Sequence, residues 1–458
     1  VPRQRRGVVY DRAGDKRDRR TADELTAMGL IMEKELISRL NAPLKDQRLE
    51  ALKSLKKLVD KGNIVLPPPK GFTNNHVHTK YSFSPYSPAM AVWMAVKSGL
   101  STVGIVDHDA INGAEEFIEA GRVMGVPTTI GFEVRTDWSG TALKGRRINN
   151  PDQITNAYIC AHGLPHTQIA AADAYLKRIR AAREKRNRAM TDRLNALFKP
   201  YGVKVDYDAD VLPISYAAFG GEVTERHLLF ALTEKLLQKF GRGQGLIDFI
   251  TGTLGMALTD KQRSYLLDTE CDIYEYDVLN LLKGNFVSEI YIDTTVEETP
   301  DVFEVVAAIK SWGAIPSYCY LGDVDASPTG DKKAQKFEDD YLEEVFTACK
   351  EIGFQAIAFM PSRNTAEQLN RVMALCDKYG FMQISGEDIN QPRQSFICPQ
   401  LKEERFAHLV DTTWALVGHE KAATEDISKG MFAGADELGP AEMQALIQKY
   451  RDIGLGRS

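Results

Sequence analysis

Histidines cluster in one part of this sequence, at positions suited to holding a metal. Five of the eight histidines precede residue 170: His76, His78, His108, His162 and His166. Four of these five are at or beyond the end of a predicted strand. His76 and His78 end the first predicted strand, where side chains at i and i+2 point to the same face. A pair of core histidines is the structural alternative, but two adjacent imidazoles rarely pack well without a ligand. Two neutral imidazoles at one place suit zinc, manganese or iron.

Carboxylates accompany the same predicted strands. Asp107 and Asp109 flank His108 directly after the second strand, although Asp109 could instead cap the following helix. Glu133 lies inside the third apolar strand, where an unpaired carboxylate is costly to bury. Asp388 follows the last predicted strand. Loops after the carboxyl ends of parallel strands build active sites, so we expect these groups at one rim.

Alternating strand-like and helix-like segments predict the scaffold that positions these groups. Candidate strands cover 72–77, 102–106, 128–134, 156–161, 314–320, 355–360 and 382–385. Helix-like segments at 87–98, 113–124, 339–352 and 365–379 lie between them. This alternation favours a parallel α/β core, and periodicity alone leaves a barrel and an open sheet as alternatives. The proline run near residue 67 predicts a boundary between helices in 1–66 and the core at 71–398, and 399–458 is helical again.

A long, mostly helical stretch, about residues 170–285, interrupts the alternation. Its first helix carries a run of basic residues: Lys177, Arg178, Arg180, Arg183, Lys185, Arg186, Arg188 and Arg193. A charge run on a helix is usually a solvated face, and we favour that interpretation. A positive lid over an anionic substrate is the alternative.

Four short motifs, in chain order, resemble the signature of the PHP (polymerase and histidinol phosphatase) superfamily. They are His76-x-His78-Thr79, Asp107-His108-Asp109, Gly131-x-Glu133 and Gly386-x-Asp388-x-Asn390. The resemblance covers roughly residues 72–398 and extends to the bacterial branch of PHP phosphoesterases. It implies a distorted (β/α)7 TIM-like barrel with metal ions at the carboxyl rim, a large helical insertion, and helical N- and C-terminal extensions.

The resemblance also implies the site residues. It assigns one metal to His76, His78, Glu133 and Asp388, and a second to Glu133 and His162. Cys319 stands where the family usually has a further histidine, Phe83 replaces an acid or histidine, and Asn390 replaces the final histidine. Asp107, Cys319 and Asn390 are therefore only secondary candidate ligands, and we expect no third metal.

The activity implied by the resemblance is hydrolysis of a phosphate ester by a metal-activated hydroxide. We expect His108 or Asp109 to protonate the leaving oxygen or to orient water, and Arg226, Arg363 and Arg393 to bind phosphate. The expected substrate is small: a nucleotide, a sugar phosphate or a short nucleic acid. There are two alternatives. One is a degenerate PHP module that binds metal or regulates with little catalysis, and the other is hydrolysis of a non-phosphate ester or amide.

The amino-acid composition restricts the classes of partner that we expect the chain to bind. The formal net charge of −6 provides no overall attraction to nucleic acid or an anionic membrane, despite a basic arm in residues 1–20 that we expect to be solvated. The apolar window 89–106 is interrupted by Lys97 and ends in charged residues, so no membrane span is expected. Six scattered cysteines without a CxxC pair fit a reducing cytoplasm, and the oligomeric state is open.

Overall fold

The structure, a computed structural model, describes residues 31–324, 336–434 and 438–457. The chain divides into two compact units, one ending at Leu66 and the other beginning at Pro67. The first unit contains helical residues 31–39 and helix α1 (Lys45–Asp60). The basic arm expected over residues 1–20 lies outside the described residues.

Seven strands of the second unit form one sheet in chain order. They are β1 (Phe72–Val77), β2 (Leu100–His108), β3 (Thr128–Asp137), β4 (Asn156–His162), β5 (Ile315–Cys319), β6 (Ala356–Phe359) and β7 (Met382–Ser385). The residues after β7 return to the end of β1, where Ile389 N donates to His76 O over 3.0 Å and His78 N donates to Ile389 O over 2.9 Å. The sheet is therefore a nearly closed, distorted barrel rather than an open sheet.

Strand β4 runs opposite to the others. It pairs antiparallel with both β3 and β5, whereas the remaining neighbours pair in parallel. Residues 138–155 between β3 and β4 contain no helix, and parallel strands need a crossover of a dozen or more residues that is usually helical. The expectation of a wholly parallel core is wrong at this strand.

Helices surround the barrel and form a separate layer above it. In chain order they are α2 (Pro88–Ser98), α3 (Ala114–Met124), α4 (Ile169–Phe198), α5 (Glu225–Phe240), α6 (Gln244–Asp248), α7 (Asp260–Leu267), α8 (Tyr274–Ile290), α9 (Val302–Ser311), α10 (Leu342–Ile352), α11 (Ala366–Tyr379), α12 (Ala407–Glu425) and α13 (Pro440–Gly454). Helices α4 to α8 form the insertion predicted between β4 and β5.

Local sequence explains why the barrel helices begin and end where they do. Ser87 caps α2 by accepting a hydrogen bond from Met90 N over 3.1 Å, and Pro88 occupies the first helical position. Gly99 ends the helix in the left-handed region at φ +79°. The chain can then enter β2 directly, which keeps Asp107 and His108 at the carboxyl end of that strand.

The insertion has its own hydrophobic core. Buried Leu194, Phe198, Leu228, Leu232 and Leu282 belong to one cluster contributed by α4, α5 and α8. The C-terminal helices instead pack with the barrel, because Thr413 of α12 accepts from Asn75 Nδ2 over 2.8 Å. Helices within the described residues are all too short or too polar to cross a bilayer.

Candidate metal centre

A cavity of about 570 Å³ lies between the barrel and the helical insertion. The barrel wall includes His76, His108, Glu133 and Asp388. The insertion wall includes three basic residues from three helices: Arg183 of α4, Arg226 of α5 and Lys283 of α8. Acidic and imidazole groups thus face cations across one space.

Glu133 is the shared neighbour of three imidazoles. Its Oε2 lies 2.9 Å from His108 Nδ1, 3.9 Å from His78 Nε2 and 4.0 Å from His76 Nε2. Glu133 and His108 are direct partners in the β2–β3 pairing, which places both at one level of the barrel. The carboxylate of Glu133, which would be costly to bury alone, therefore lies among three imidazoles that could bind the same metal ion.

Asp388 completes the group from the other side of the barrel. Its Oδ1 lies 3.2 Å from His78 Nε2. The donor atoms form two overlapping groups, and within each group they lie within 4.8 Å of one another. One group is His76, His78 and Asp388, and the other is His78, His108 and Glu133. Two ligands that each bond a metal at 2.0–2.2 Å lie roughly 3.4 Å apart, so these spacings fit a shared ion.

The pKa shifts of these side chains decide which of them are free of protons and able to bind a metal. Burial lowers the pKa of His76 and the pKa of His108, which keeps their lone pairs free of protons. Burial opposes ionisation of Asp388, but the contact with His78 outweighs it and holds the pKa of Asp388 well below its usual range. The same contact acts on His78 in the opposite direction: burial would lower its pKa, but the hydrogen bond with Asp388 outweighs burial and raises it. The centre thus presents His76 and His108 as neutral imidazoles and Asp388 as an ionised carboxylate paired with His78.

Asp107 supports this centre rather than joining it. Its Oδ1 accepts from Thr79 N over 2.6 Å and from Ser82 Oγ over 2.7 Å, and its Oδ2 accepts from Thr79 Oγ1 over 2.6 Å. Both oxygens therefore hold the loop that follows His78. The expectation that Asp107 is a possible ligand is not supported by this geometry.

Asn390 has a comparable supporting position. Its Nδ2 donates to Asp388 Oδ1 over 2.6 Å and so orients that carboxylate, whereas its buried Oδ1 has no hydrogen-bond partner among the described residues. Phe83, the other replaced position, is 7% exposed and packs edge-on against His227 at 4.8 Å between ring centroids. The phenyl ring of Phe83 offers no donor atom to an ion, and Asn390 offers only its amide oxygen.

The carboxylate of Asp109 forms an ion pair with an arginine of the helical insertion. Its Oδ2 accepts from Arg183 Nη1 over 2.5 Å, and both side chains are only 3% exposed. Its backbone adopts φ +50°, and its N–H donates to Glu133 O over 2.8 Å. The expected role of Asp109 as a proton donor is not supported, because its carboxylate is held in an ion pair, whereas His108 is 27% exposed and faces the cavity.

The reversed direction of β4 changes the position of His162. Its partner is Ile315, the first residue of β5, so the end of β4 lies away from the carboxyl rim. Cys160, two residues earlier, is the partner of Glu133 and occupies the level expected for His162. His162 still lines the cavity, deeper in the barrel, and its buried Nε2 has no hydrogen-bond partner among the described residues.

Gly131 shows why the strands can approach so closely here. A Cβ at this position would lie 2.0 Å from Ala161 O. Only glycine permits that contact, so the glycine two residues before Glu133 allows β4 to pack against β3. Cys319 lines the cavity as well, from β5.

The expected phosphate-binding arginines lie in different environments. Arg226 lines the cavity. Arg393 pairs with Asp277, its Nε 2.7 Å from Oδ1, and stacks over Tyr265 outside the cavity lining. Arg363 Nε donates to Leu321 O over 3.0 Å and is also outside the lining. Only Arg226 keeps the expected position.

The basic run on α4 is divided between solvent and interior. Arg188 is exposed and pairs with Glu184 and Asp208, as a solvated face predicts. Arg183 and Arg186 are 3% exposed and pair with Glu225, at 3.1 and 2.7 Å. For these two arginines the solvated-face interpretation is wrong. Arg183 and Lys283 were missed as cavity residues, because nothing in their local sequence separates them from neighbouring surface cations.

Comparisons with known proteins agree with the fold and the motifs. Residues 74–248 match the family model of the PHP domain. The matched residues include β1 to β4 of the distorted seven-stranded barrel, and β5 to β7 follow outside the match. The match extends from the first histidines into the helical insertion and includes Arg183 and Arg226.

Individual relatives are more distant. A 5'-3' exoribonuclease of Haemophilus influenzae is 27% identical over 152 residues, which are 33% of this chain and 47% of that protein. The chain thus spans about half the length of the curated relative it matches. A proposed metal-dependent phosphoesterase from Bifidobacterium adolescentis is 19% identical with a TM-score of 0.47, over 74% of this chain and 96% of that one. An amidohydrolase from Chromobacterium violaceum, solved with sulfate, is 17% identical with a TM-score of 0.46, over 71% of this chain and 89% of that one.

Proposed function

We propose that the chain is a metal-dependent hydrolase that cleaves phosphate esters of small substrates. The observation that carries the proposal is one cavity in which Glu133, Asp388 and three imidazoles face Arg183 and Arg226. A metal centre opposite guanidinium groups suits a substrate that is anionic and must be polarised. Nucleotides, sugar phosphates and short nucleic acids share that chemistry.

The donor set fits divalent metal ions. Histidine nitrogens with aspartate and glutamate oxygens suit zinc, manganese or iron. His76, His78, Glu133 and Asp388 would hold the first ion, since the donor atoms of His76, His78 and Asp388 converge and Glu133 Oε2 lies within 4.0 Å of both imidazoles. Bound there, divalent ions would polarise a phosphoryl oxygen and lower the pKa of an attacking water.

Side chains of the insertion are placed to bind the phosphate. Arg226 belongs to the first turn of α5, and Thr224, Glu225 and Arg226 line the cavity together. A helix N-terminus and a guanidinium both favour anions. The charge of Glu225 is balanced there by Arg183 and Arg186, so it does not repel the substrate.

Two residues have distinct roles in this proposal. His108 faces the cavity and, since burial lowers its pKa, would act unprotonated and orient the attacking water. Asp109 would act as a positioning residue, because its ion pair holds Arg183 at the cavity. The name of the exoribonuclease relative supports phosphodiester chemistry, whereas the net charge of −6 favours small or short substrates.

Elemental analysis combined with a phosphate-release screen tests the proposal. The purified chain is assayed over nucleotides, sugar phosphates and short oligonucleotides, with Mn²⁺ or Zn²⁺ and with a chelator. We expect bound metal, release from one substrate class, and loss of release on chelation.

Matched variants localise the activity. His76→Ala and Asp388→Ala should abolish release and lower metal content, whereas His166→Ala should do neither, because His166 pairs with Glu420 outside this cavity. Metal-free protein that releases phosphate from no substrate would overturn the proposal in favour of a degenerate PHP module.

A further inference from the structure

The two side chains expected to protonate the leaving oxygen are not free acids in this structure. Asp109 is held in its ion pair with Arg183. Burial lowers the pKa of His108 well below its usual range, so the imidazole is neutral at neutral pH. The leaving oxygen of a nucleotide or sugar phosphate belongs to an alcohol, which departs slowly unless a nearby group donates a proton. The proposed reaction therefore still needs a donor for that oxygen.

Tyr158 of β4 lies beside His108 on the wall of the cavity. The two ring centroids are 5.7 Å apart, and Tyr158 lines the cavity. Cys160, two residues further along β4, is the partner of Glu133 across β3 and β4, and its donor atom lies within 4.8 Å of those of Glu133 and His76. Side chains at i and i+2 share one face of a strand, so Tyr158 is on the face of β4 that adjoins the candidate metal centre.

The hydroxyl of Tyr158 is available to a substrate. It makes no hydrogen bond with the described residues, whereas the backbone N–H and C=O of Tyr158 are both held by the Asn149 side chain at 2.7 Å. Burial raises the pKa of Tyr158, so the hydroxyl keeps its proton at neutral pH. A rigid strand thus presents an O–H group whose hydrogen-bonding capacity the fold does not use.

Other proton-bearing side chains of the cavity are less suited to this role. Tyr320 donates its hydroxyl to Asp339 Oδ1 over 2.6 Å. The hydroxyl oxygen of Tyr291 is buried, and Tyr291 belongs to the insertion wall. Lys283 of α8 is on that wall as well. Tyr158 differs because it belongs to the barrel wall, which also carries the candidate metal ligands.

We propose that Tyr158 is a further catalytic residue, whose hydroxyl donates its proton to the leaving oxygen. The inference rests on the proposed function and deepens it by naming the proton donor of that reaction. As the P–O bond breaks, the leaving oxygen takes both electrons of the bond and the proton of Tyr158. The attacking water forms the new P–O bond and loses one proton, and the phenolate regains one from solvent, so the tyrosine ends the cycle unchanged.

Tyr158→Phe tests this role, because it removes the hydroxyl and keeps the ring with its contacts to His108 and Arg135. For the alkyl phosphate found in the release screen, kcat should fall by about 10²–10⁴-fold, the usual contribution of a positioned acid, while metal content stays native. For the p-nitrophenyl ester, whose phenolate leaves without a proton, the loss should largely disappear. Tyr450→Phe is the matched control and should keep both rates, since its hydroxyl donates to Lys429 O outside the cavity lining.

Binding of a phosphonate analogue provides a measurement without turnover. A CH₂ group replaces the leaving oxygen and accepts no hydrogen bond, so the native and Tyr158→Phe chains should bind the analogue with equal Kd in calorimetry. Weaker binding by the variant would assign the hydroxyl to another phosphate oxygen and overturn the proposal.

The kinetic outcomes separate this inference from the proposed function. Equal losses for the alkyl and p-nitrophenyl esters, or no loss for either, overturn the role of Tyr158 while the phosphoesterase proposal stands. A metal-loaded native chain that releases no phosphate overturns the phosphoesterase proposal, and the inference fails with it.

Discussion

Arg183 Nη1 donates to Asp109 Oδ2 over 2.5 Å, which joins the long helix of the insertion to the loop after β2. The same guanidinium lies 3.1 Å from Glu225 and 3.9 Å from both Glu222 and Glu298. A single buried cation therefore faces four carboxylates from three parts of the chain. This network seats the insertion over the barrel and closes the cavity.

Removing that cation should weaken the fold. Arg183→Met leaves Asp109 buried without its ion-pair partner, which costs about 3–5 kcal/mol in comparable buried pairs, whereas Glu225 and Glu298 keep Arg186. Urea unfolding should show the loss as a lower midpoint. Arg188→Met on the same helix is the matched control and should unfold near the native midpoint, since Arg188 is 41% exposed. Equal midpoints for Arg183→Met and the native chain would exclude a stabilising role for the network.

Disrupting the loop behind His78 should weaken metal binding. Asp107→Ala removes three hydrogen bonds that hold Thr79 and Ser82. Partners of this kind typically change metal affinity by about 10–100-fold. Chelator competition measures the change. Ser82→Ala removes one of these bonds and the 3.4 Å contact of Ser82 Oγ with His78 Nδ1, and it should have a smaller effect because both bonds from Thr79 to Asp107 remain. An Asp107→Ala chain with native affinity would show that the loop does not orient His78.

Arg226 and Arg393 should differ in their effect on substrate binding. Arg226→Ala should raise KM by about tenfold or more and weaken inhibition by inorganic phosphate, because hydrogen bonds to charged groups contribute about 1.5–3 kcal/mol. Arg393→Ala should leave KM unchanged, since that guanidinium pairs with Asp277 outside the cavity lining. Steady-state kinetics on the substrate found in the release screen compares them. The reverse order would move the phosphate site to Arg393.

Stability should fall as the pH rises from about 4.5 to about 7 because of one buried glutamate. Burial raises the pKa of Glu338 to about 7, against the hydrogen bonds donated by Tyr318, Leu321 and Gly322. A raised folded-state pKa means that the protonated form is favoured by folding. The stabilisation is complete below the unfolded value of about 4.5 and decreases up to pH 7, by about 3 kcal/mol in total.

Glu338→Gln isolates this effect, because glutamine keeps a carbonyl oxygen as acceptor and does not titrate. The difference in unfolding free energy between the variant and the native chain should change in favour of the variant between pH 5 and pH 8. Denaturant unfolding at several pH values measures it. A difference independent of pH would mean that Glu338 titrates near its ordinary value.

Local patterns were enough to find most of the centre. His76 and His78 share one face of a strand, and Glu133 and Asp388 are acids beside apolar strands, so spacing alone predicted that they meet. The resemblance to the PHP superfamily added the barrel, which the periodicity could not distinguish from an open sheet. The family match and the seven-stranded sheet confirm both the family and the fold class.

What the sequence left undecided was decided by partners far away in the chain. Alternation along β4 places His162, Cys160 and Tyr158 on one face whichever way the strand runs, so its direction depends on pairing with β3 and β5. The reversal puts Cys160 beside Glu133 and moves His162 deeper. Arg183 and Arg188 are likewise similar in sequence, and only the carboxylates brought to Arg183 by three distant segments make it a buried residue of the cavity. Side-chain type and spacing are local properties, whereas strand direction and charge pairing are set by contacts that form only when the chain folds.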